Sequence, residues 1–189
     1  MRKGTYQLLG TAAGIALVSA AVLQVSSAAF TGSTDNAGNS FSAGTVTLTD
    51  NDGGSAMFTA PGLAPGDSTT GCIEVTYTGS IAPGAPVDLH GAVTETVVAG
   101  NGLGDDLDVV VERGAAGSSC AAPSGLSTIY SGSLAGFNDA SSPLSTAWTP
   151  VLSTDVMRPY AFTVTLGADT PNDAQGEGAG ATFTWSATS

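Results

Sequence analysis

Side chains able to do chemistry are few in this 189-residue chain, and their spacing narrows what they could do. His90 is the only histidine, and Cys72 and Cys120 are the only cysteines. Zinc-assisted hydrolysis needs about three protein ligands and a water, and no His-Glu-x-x-His run is present. His90, followed by Gly91, could act as a base, but Asp88-Leu89-His90 reads as the end of a strand with its imidazole at the surface. Serine is plentiful without a Gly-x-Ser-x-Gly elbow. A glycosidase pair would have to come from 16 acids among which nothing singles out two. Two clusters put hard oxygens at the close spacing calcium favours. They are Asp50-Asn51-Asp52-Gly53-Gly54 and Gly104-Asp105-Asp106-Leu107-Asp108. In the first, Pro61 stands where an EF-hand loop has its twelfth-position glutamate, and both also read as Asp/Asn turns between strands. Asp50, Asp52, Asp105, Asp106 and Asp108 are therefore weak calcium candidates, with no other cofactor or metal expected and no catalytic residue assigned.

What must position these groups begins with an export signal. Arg2 and Lys3 form a positive start, Leu8 to Val25 is free of charge, and Ser26 and Ala28 occupy the −3 and −1 positions of an A-x-A-like site. The alternative, an uncleaved anchor, has an uncharged run of 18 residues broken by Gly10 and Gly14, marginal against the ~20 a span needs. Cleavage between Ala28 and Ala29 leaves 161 residues and no stable membrane anchor. It also takes the formal charge from −12 to −14, because Arg2 and Lys3 leave while every acid lies downstream. Arg113 and Arg158 are then the only fixed positive charges. Such a chain cannot displace counterions from nucleic-acid phosphates and is repelled by anionic membranes. In an oxidising compartment Cys72 and Cys120 are expected to pair. A thiolate nucleophile or metal ligand is the other reading, and no base is spaced near either cysteine.

The mature segment reads as one all-β domain. Glycine, at 26 residues, and proline, at 9, punctuate short segments in which Thr and Val dominate. Apolar residues alternate along Thr45–Thr49, around Ala56 and Phe58, and along Cys72–Thr78. The pattern recurs from Val87 and Leu89, along Leu107–Glu112, near Ile129 and Leu134, along Tyr160–Leu166, and around Phe183 and Trp185. Pro61-Gly62 and Pro65-Gly66 mark turns, and Ser131–Phe137 has room for one helical turn. These segments predict a jelly-roll or Greek-key β-sandwich. Its expected core is Leu48, Phe58, Ile73, Val75, Tyr77, Val109, Phe162, Val164, Phe183 and Trp185. The expected division is a signal peptide over 1–28, an arm over 29–42 and the sandwich over 43–189.

Ala29-Phe30, then Asn39-Ser40-Phe41-Ser42-Ala43-Gly44-Thr45-Val46-Thr47-Leu48, then Leu63-Ala64-Pro65-Gly66-Asp67 occur in an order that resembles the TasA/camelysin family. Gly79-Ser80 and the closing Ala181-Thr182-Phe183-Thr184-Trp185 add to the likeness. The resemblance covers residues 1 to about 80 best. It departs from the family in lacking long Lys-rich insertions and in adding the cysteine pair. It implies an exported bacterial protein cut before Ala29-Phe30 by a signal peptidase of the SipW type. It further implies a subunit of extracellular-matrix or cell-surface fibres, in which the freed arm (Ala29, Phe30, Phe41) adds a strand to the next subunit. The homopolymer would be head to tail, since heterologous contacts of that kind give open filaments. Two other readings stand beside it. One is a secreted binding or adhesion sandwich that does not polymerise; the other is a camelysin-type metalloprotease, for which the residues supply no constellation.

Overall fold

The alternation along residues 68–77 and 157–166 builds the centre of the larger sheet. In the computed structural model, residues 44–98, 100, 102–137 and 143–189 are described. The expected signal peptide, the Ala28/Ala29 cleavage site and the arm with Phe30 and Phe41 lie outside these residues. Ala43–Ser189 form one compact unit. Its strands are β1 (Leu48–Asp50), β2 (Ser68–Tyr77), β3 (Asp88–Thr96), β4 (Leu107–Arg113), β5 (Ser127–Ser133), β6 (Leu144–Ser145), β7 (Met157–Leu166) and β8 (Gly178–Ser186). One helical turn, α1 (Leu103–Asp106), precedes β4, and Ala135–Phe137 form a short 3₁₀ turn within the stretch expected to hold one.

Two antiparallel sheets result, with strand orders β1-β2-β7-β4-β5 and β6-β3-β8. Consecutive strands β2, β3 and β4 alternate between the sheets, while β7 returns to lie between β2 and β4. That winding makes a sandwich of five strands over three. The period-2 rule places Ile73, Val75, Tyr77, Val109, Val111, Tyr160, Phe162 and Val164 on the inner face, all buried. Aromatic side chains join the layers: Phe162 meets Phe183 at 4.6 Å between ring centroids, and Phe137 meets Phe183 edge-on at 5.3 Å.

The turns form as their residues dictate. Gly66 has φ +91, the left-handed value required after Pro65 in a type II turn. Asp67 N–H closes that turn on the Ala64 carbonyl at 2.9 Å, and the Asp67 carboxylate accepts from Ala64 N–H at 2.9 Å.

Three expectations change. Ala56–Phe58 is irregular rather than a strand. Met57 and Phe58 instead lay their side chains over Gly71, where a Cβ would stand 2.7 Å from each of them. Leu48, Phe58, Phe183 and Trp185 are half-buried at the edge of the core instead of inside it. His90 does not end a strand: β3 runs on to Thr96, and the half-buried imidazole Nε2 lies 3.0 Å from Ser186 Oγ. Val87, Leu89, Leu107, Leu134, Phe137, Trp148 and Leu166 complete the buried core among the described residues.

Candidate functional site

The smaller sheet stops at β8, and that rim is built differently from every other rim of the sandwich. Edge strands normally carry protection: shortness, a bulge, proline or charge. β1 has three residues and β6 two. The pairing of β5 with β4 shifts register at Val111/Glu112. β8 has nine residues, Gly-Ala-Gly-Ala-Thr-Phe-Thr-Trp-Ser, with no charge and no proline. It pairs with β3 without a register shift, from Asp88↔Ser186 to Thr96↔Gly178. Among the described residues no strand lies on its other side.

The side chains on this strand show what the missing neighbour leaves bare. Leu89, directly opposite Trp185 on β3, is 0% exposed, whereas Phe183 and Trp185 are only half-buried. Together with Leu48, Thr49, Asp50, Val75 and Thr184 they line a cleft of about 270 Å³ between the rims of β1 and β8. An extended segment lying there meets a row of unpaired β8 backbone groups and two aromatic faces.

At the inner end of this cleft the Trp185 ring packs 5.3 Å from Tyr160. Tyr160 is fully buried, and its hydroxyl lies beside the Thr146 side chain without a hydrogen bond of normal geometry. The neighbouring Thr146 hydroxyl donates to the Val87 carbonyl at 2.7 Å. Burial pushes the Tyr160 pKa up to about 12 and the Asp155 charge adds to the rise, while the Thr146 side chain and the charges of Arg113 and Arg158 pull the other way. Because the folded value is raised, the associated stability is fully present below the unfolded value near 10 and is lost as pH rises through about 12. Tyr160→Phe should therefore be less sensitive to alkali. Urea unfolding at pH 9 and pH 12 is expected to show the wild type losing about 2–3 kcal/mol more than the variant.

The residues singled out by type fall in separate places. Cys72, on the outer face of β2, and Cys120, in the β4–β5 connection, form a disulfide. Glu74 anchors the same connection by accepting Cys120 N–H at 2.8 Å. Asp52 holds a turn, accepting Gly54 N–H at 2.6 Å, while the Asn51 side chain accepts Glu74 N–H at 2.9 Å. Asp50 lines the β1–β8 cleft. Asp105 and Asp106 border a second cleft, of about 110 Å³, with Asp173 and Glu177, and Asp108 sits exposed on β4. Among the described residues no group of three or more His, Cys, Asp or Glu side chains is placed to hold a metal ion. Nor is any helix among them long and apolar enough to cross a membrane.

The open rim of β8 escapes a sequence reading because edge status depends on which strands pair. The hint in the sequence is an uncharged nine-residue run, Gly178–Ser186. Comparison with known proteins finds neither a matching family model nor a similar curated protein.

Proposed function

We propose that this protein is a secreted structural subunit of a bacterial matrix or cell surface, which assembles head to tail when the arm of one copy adds a strand beside β8 of the next. The observation that carries this reading is the long, uncharged, unprotected rim of β8 with Phe183 and Trp185 half-bare beside it. Strand addition joins main-chain hydrogen bonds to pockets for alternate side chains. Phe30 is the large apolar residue near the start of the arm, and a half-filled aromatic cleft is the surface that suits it. The order of motifs from Ala29 to Asp67, similar to the TasA/camelysin family, supports the same reading. So does the disulfide, which fits an oxidising compartment. Tethering of the arm before cleavage keeps assembly outside the cell. A charge of −14 on each exported copy opposes association, so assembly should speed up as salt shortens the Debye length to ~10 Å at 0.1 M.

Protein beginning at Ala29 is expected to form fibres visible by electron microscopy, faster at higher ionic strength. Protein beginning at Ala43 should remain monomeric. An Ala29-start protein that stays monomeric across salt and pH defeats the proposal. It would favour the second reading, a secreted binding or adhesion sandwich that does not polymerise.

A further inference from the structure

We infer that the end of the sandwich around Arg113, Tyr160 and Arg158 is a binding site for a small monovalent anion, chloride or a carboxylate group. Arg113 and Tyr160 stand directly opposite on β4 and β7, so their side chains share the inner face. Arg158, two residues before Tyr160, shares it too. Trp185 reaches Tyr160 from the other sheet, and Trp148 lies 1% exposed in the segment just after β6.

The hydrogen-bond inventory of this cluster is lopsided. Five buried donors have no partner among the described residues: Arg113 Nε, Arg158 Nε, Trp148 Nε1, Trp185 Nε1 and the Tyr160 hydroxyl. Against them stands one unpartnered acceptor, Asp155 Oδ1. These six are the buried unpartnered side-chain polar atoms among the described residues. Contacts link the residues that carry them: Arg113 stands opposite Tyr160, Trp185 packs on Tyr160, Arg158 pairs with Asp155, and Arg113 donates to the Thr146 carbonyl two residues before Trp148. Buried polar groups in native proteins are nearly always satisfied. Water would accept from these donors but would bring protons needing acceptors of their own. An anion accepts several hydrogen bonds and brings none.

Charge points the same way. Arg158 pairs with Asp155 at 2.5 Å and also donates to the Gly114 carbonyl at 3.2 Å. Arg113 donates to the Thr146 carbonyl and has no carboxylate partner among the described residues. Its neighbour Glu112 points to the opposite face of β4. The cluster thus carries two guanidinium groups and one carboxylate, a net of +1, inside a strongly acidic protein. A partly buried, uncompensated charge is costly, and the planar fork of a guanidinium suits a carboxylate or a single halide. A single surplus positive charge sets the valence at one.

Two sources share this chemistry: a dissolved ion, and a carboxylate carried on a strand from another copy. The test is a chloride-35 NMR line-width titration of the purified protein exported from its full-length chain. Saturable excess broadening that acetate competes away is expected, and Arg113→Met should abolish it. Tyr160→Phe, which keeps the packing, should weaken binding by about tenfold, the value of one hydrogen bond to a charged group. Chloride broadening that persists in concentrated, associated protein identifies the dissolved ion. Broadening that disappears on association identifies a neighbour's carboxylate. No excess broadening, or equal broadening in wild type and both variants, overturns the proposal. Arg113→Met failing to fold leaves the Tyr160→Phe titration to decide between the same results.

Discussion

A synthetic peptide of residues 29–42 added to the domain 43–189 is expected to shift its tryptophan emission to the blue and shield it from acrylamide. The protein has two tryptophans. Trp148 is already 1% exposed and cannot be shielded much further, so the change reports Trp185. Trp185 is half-buried on a strand that has one neighbour among the described residues, and a strand laid along its other side would cover the indole. The peptide also buries Phe30, worth about 2–3 kcal/mol for a phenylalanine moved out of water. Phe30→Ala in the peptide should therefore weaken binding by roughly 30- to 160-fold. Phe41→Ala measures whether the second aromatic of the arm also seats. Emission that does not move, or a Phe30→Ala peptide that binds as well as the parent, would remove the arm as the occupant of the cleft. Because the domain and peptide are separate, the result does not depend on whether fibres form under the chosen conditions.

The inward residues of the central strands were legible because alternation is a local property. Ile73, Val75 and Tyr77 against Cys72, Glu74 and Thr76 need only the two-residue repeat, and so do Phe162 and Val164 on β7. Pairing is not local. β2 finds β7 some ninety residues later, from Ser68↔Thr165 to Thr76↔Met157, and nothing in either segment names the other. What makes β8 a rim, and so makes Phe183 and Trp185 half-bare, belongs to that second class.

Gly91 shows how a local signal can mislead. A glycine after His90 suggests a break, yet β3 passes straight through it. The glycine is needed because Phe137 lies on top: a Cβ there would sit 2.7 Å from the Phe137 carbonyl oxygen. Trp148 was missed for a different reason. Thr146, Trp148 and Pro150 are buried at two-residue spacing with exposed residues between them, an alternation present in the sequence. Proline and single serine and threonine residues diluted its apolar signal. Arg113 and Arg158 were legible as the last positive charges, but their gathering around Tyr160 follows from the β4–β7 register.

Replacing both Cys72 and Cys120 with alanine is expected to lower stability by about 4 kcal/mol, the chain-entropy value for a closed loop of this size. The bond joins residues 48 apart in sequence and confines β3, α1, β4 and the connection that follows β4 in the unfolded chain. For a domain of this length the loss corresponds to a drop in Tm of roughly 8–16 °C. The denaturant slope should rise as well, since the uncrosslinked chain exposes more surface when it unfolds. Native contacts change little, because the Glu74 carboxylate and the Ser119–Ala122 bridge still hold the connection. A loss below about 1 kcal/mol, with unchanged slope, would mean that the unfolded chain was already compact and the crosslink constrained little. Cys72 stands on the outer face of β2, whereas Phe183 and Trp185 face the interior between the sheets. At a temperature where the double variant is still folded, its affinity for the 29–42 peptide should therefore stay within about twofold of the parent, as distant sites behave independently. Stability that falls while affinity holds separates the crosslink's effect on the unfolded chain from the work of the β8 rim. A parallel loss of both would show that the rim is held in shape from the far side of the larger sheet.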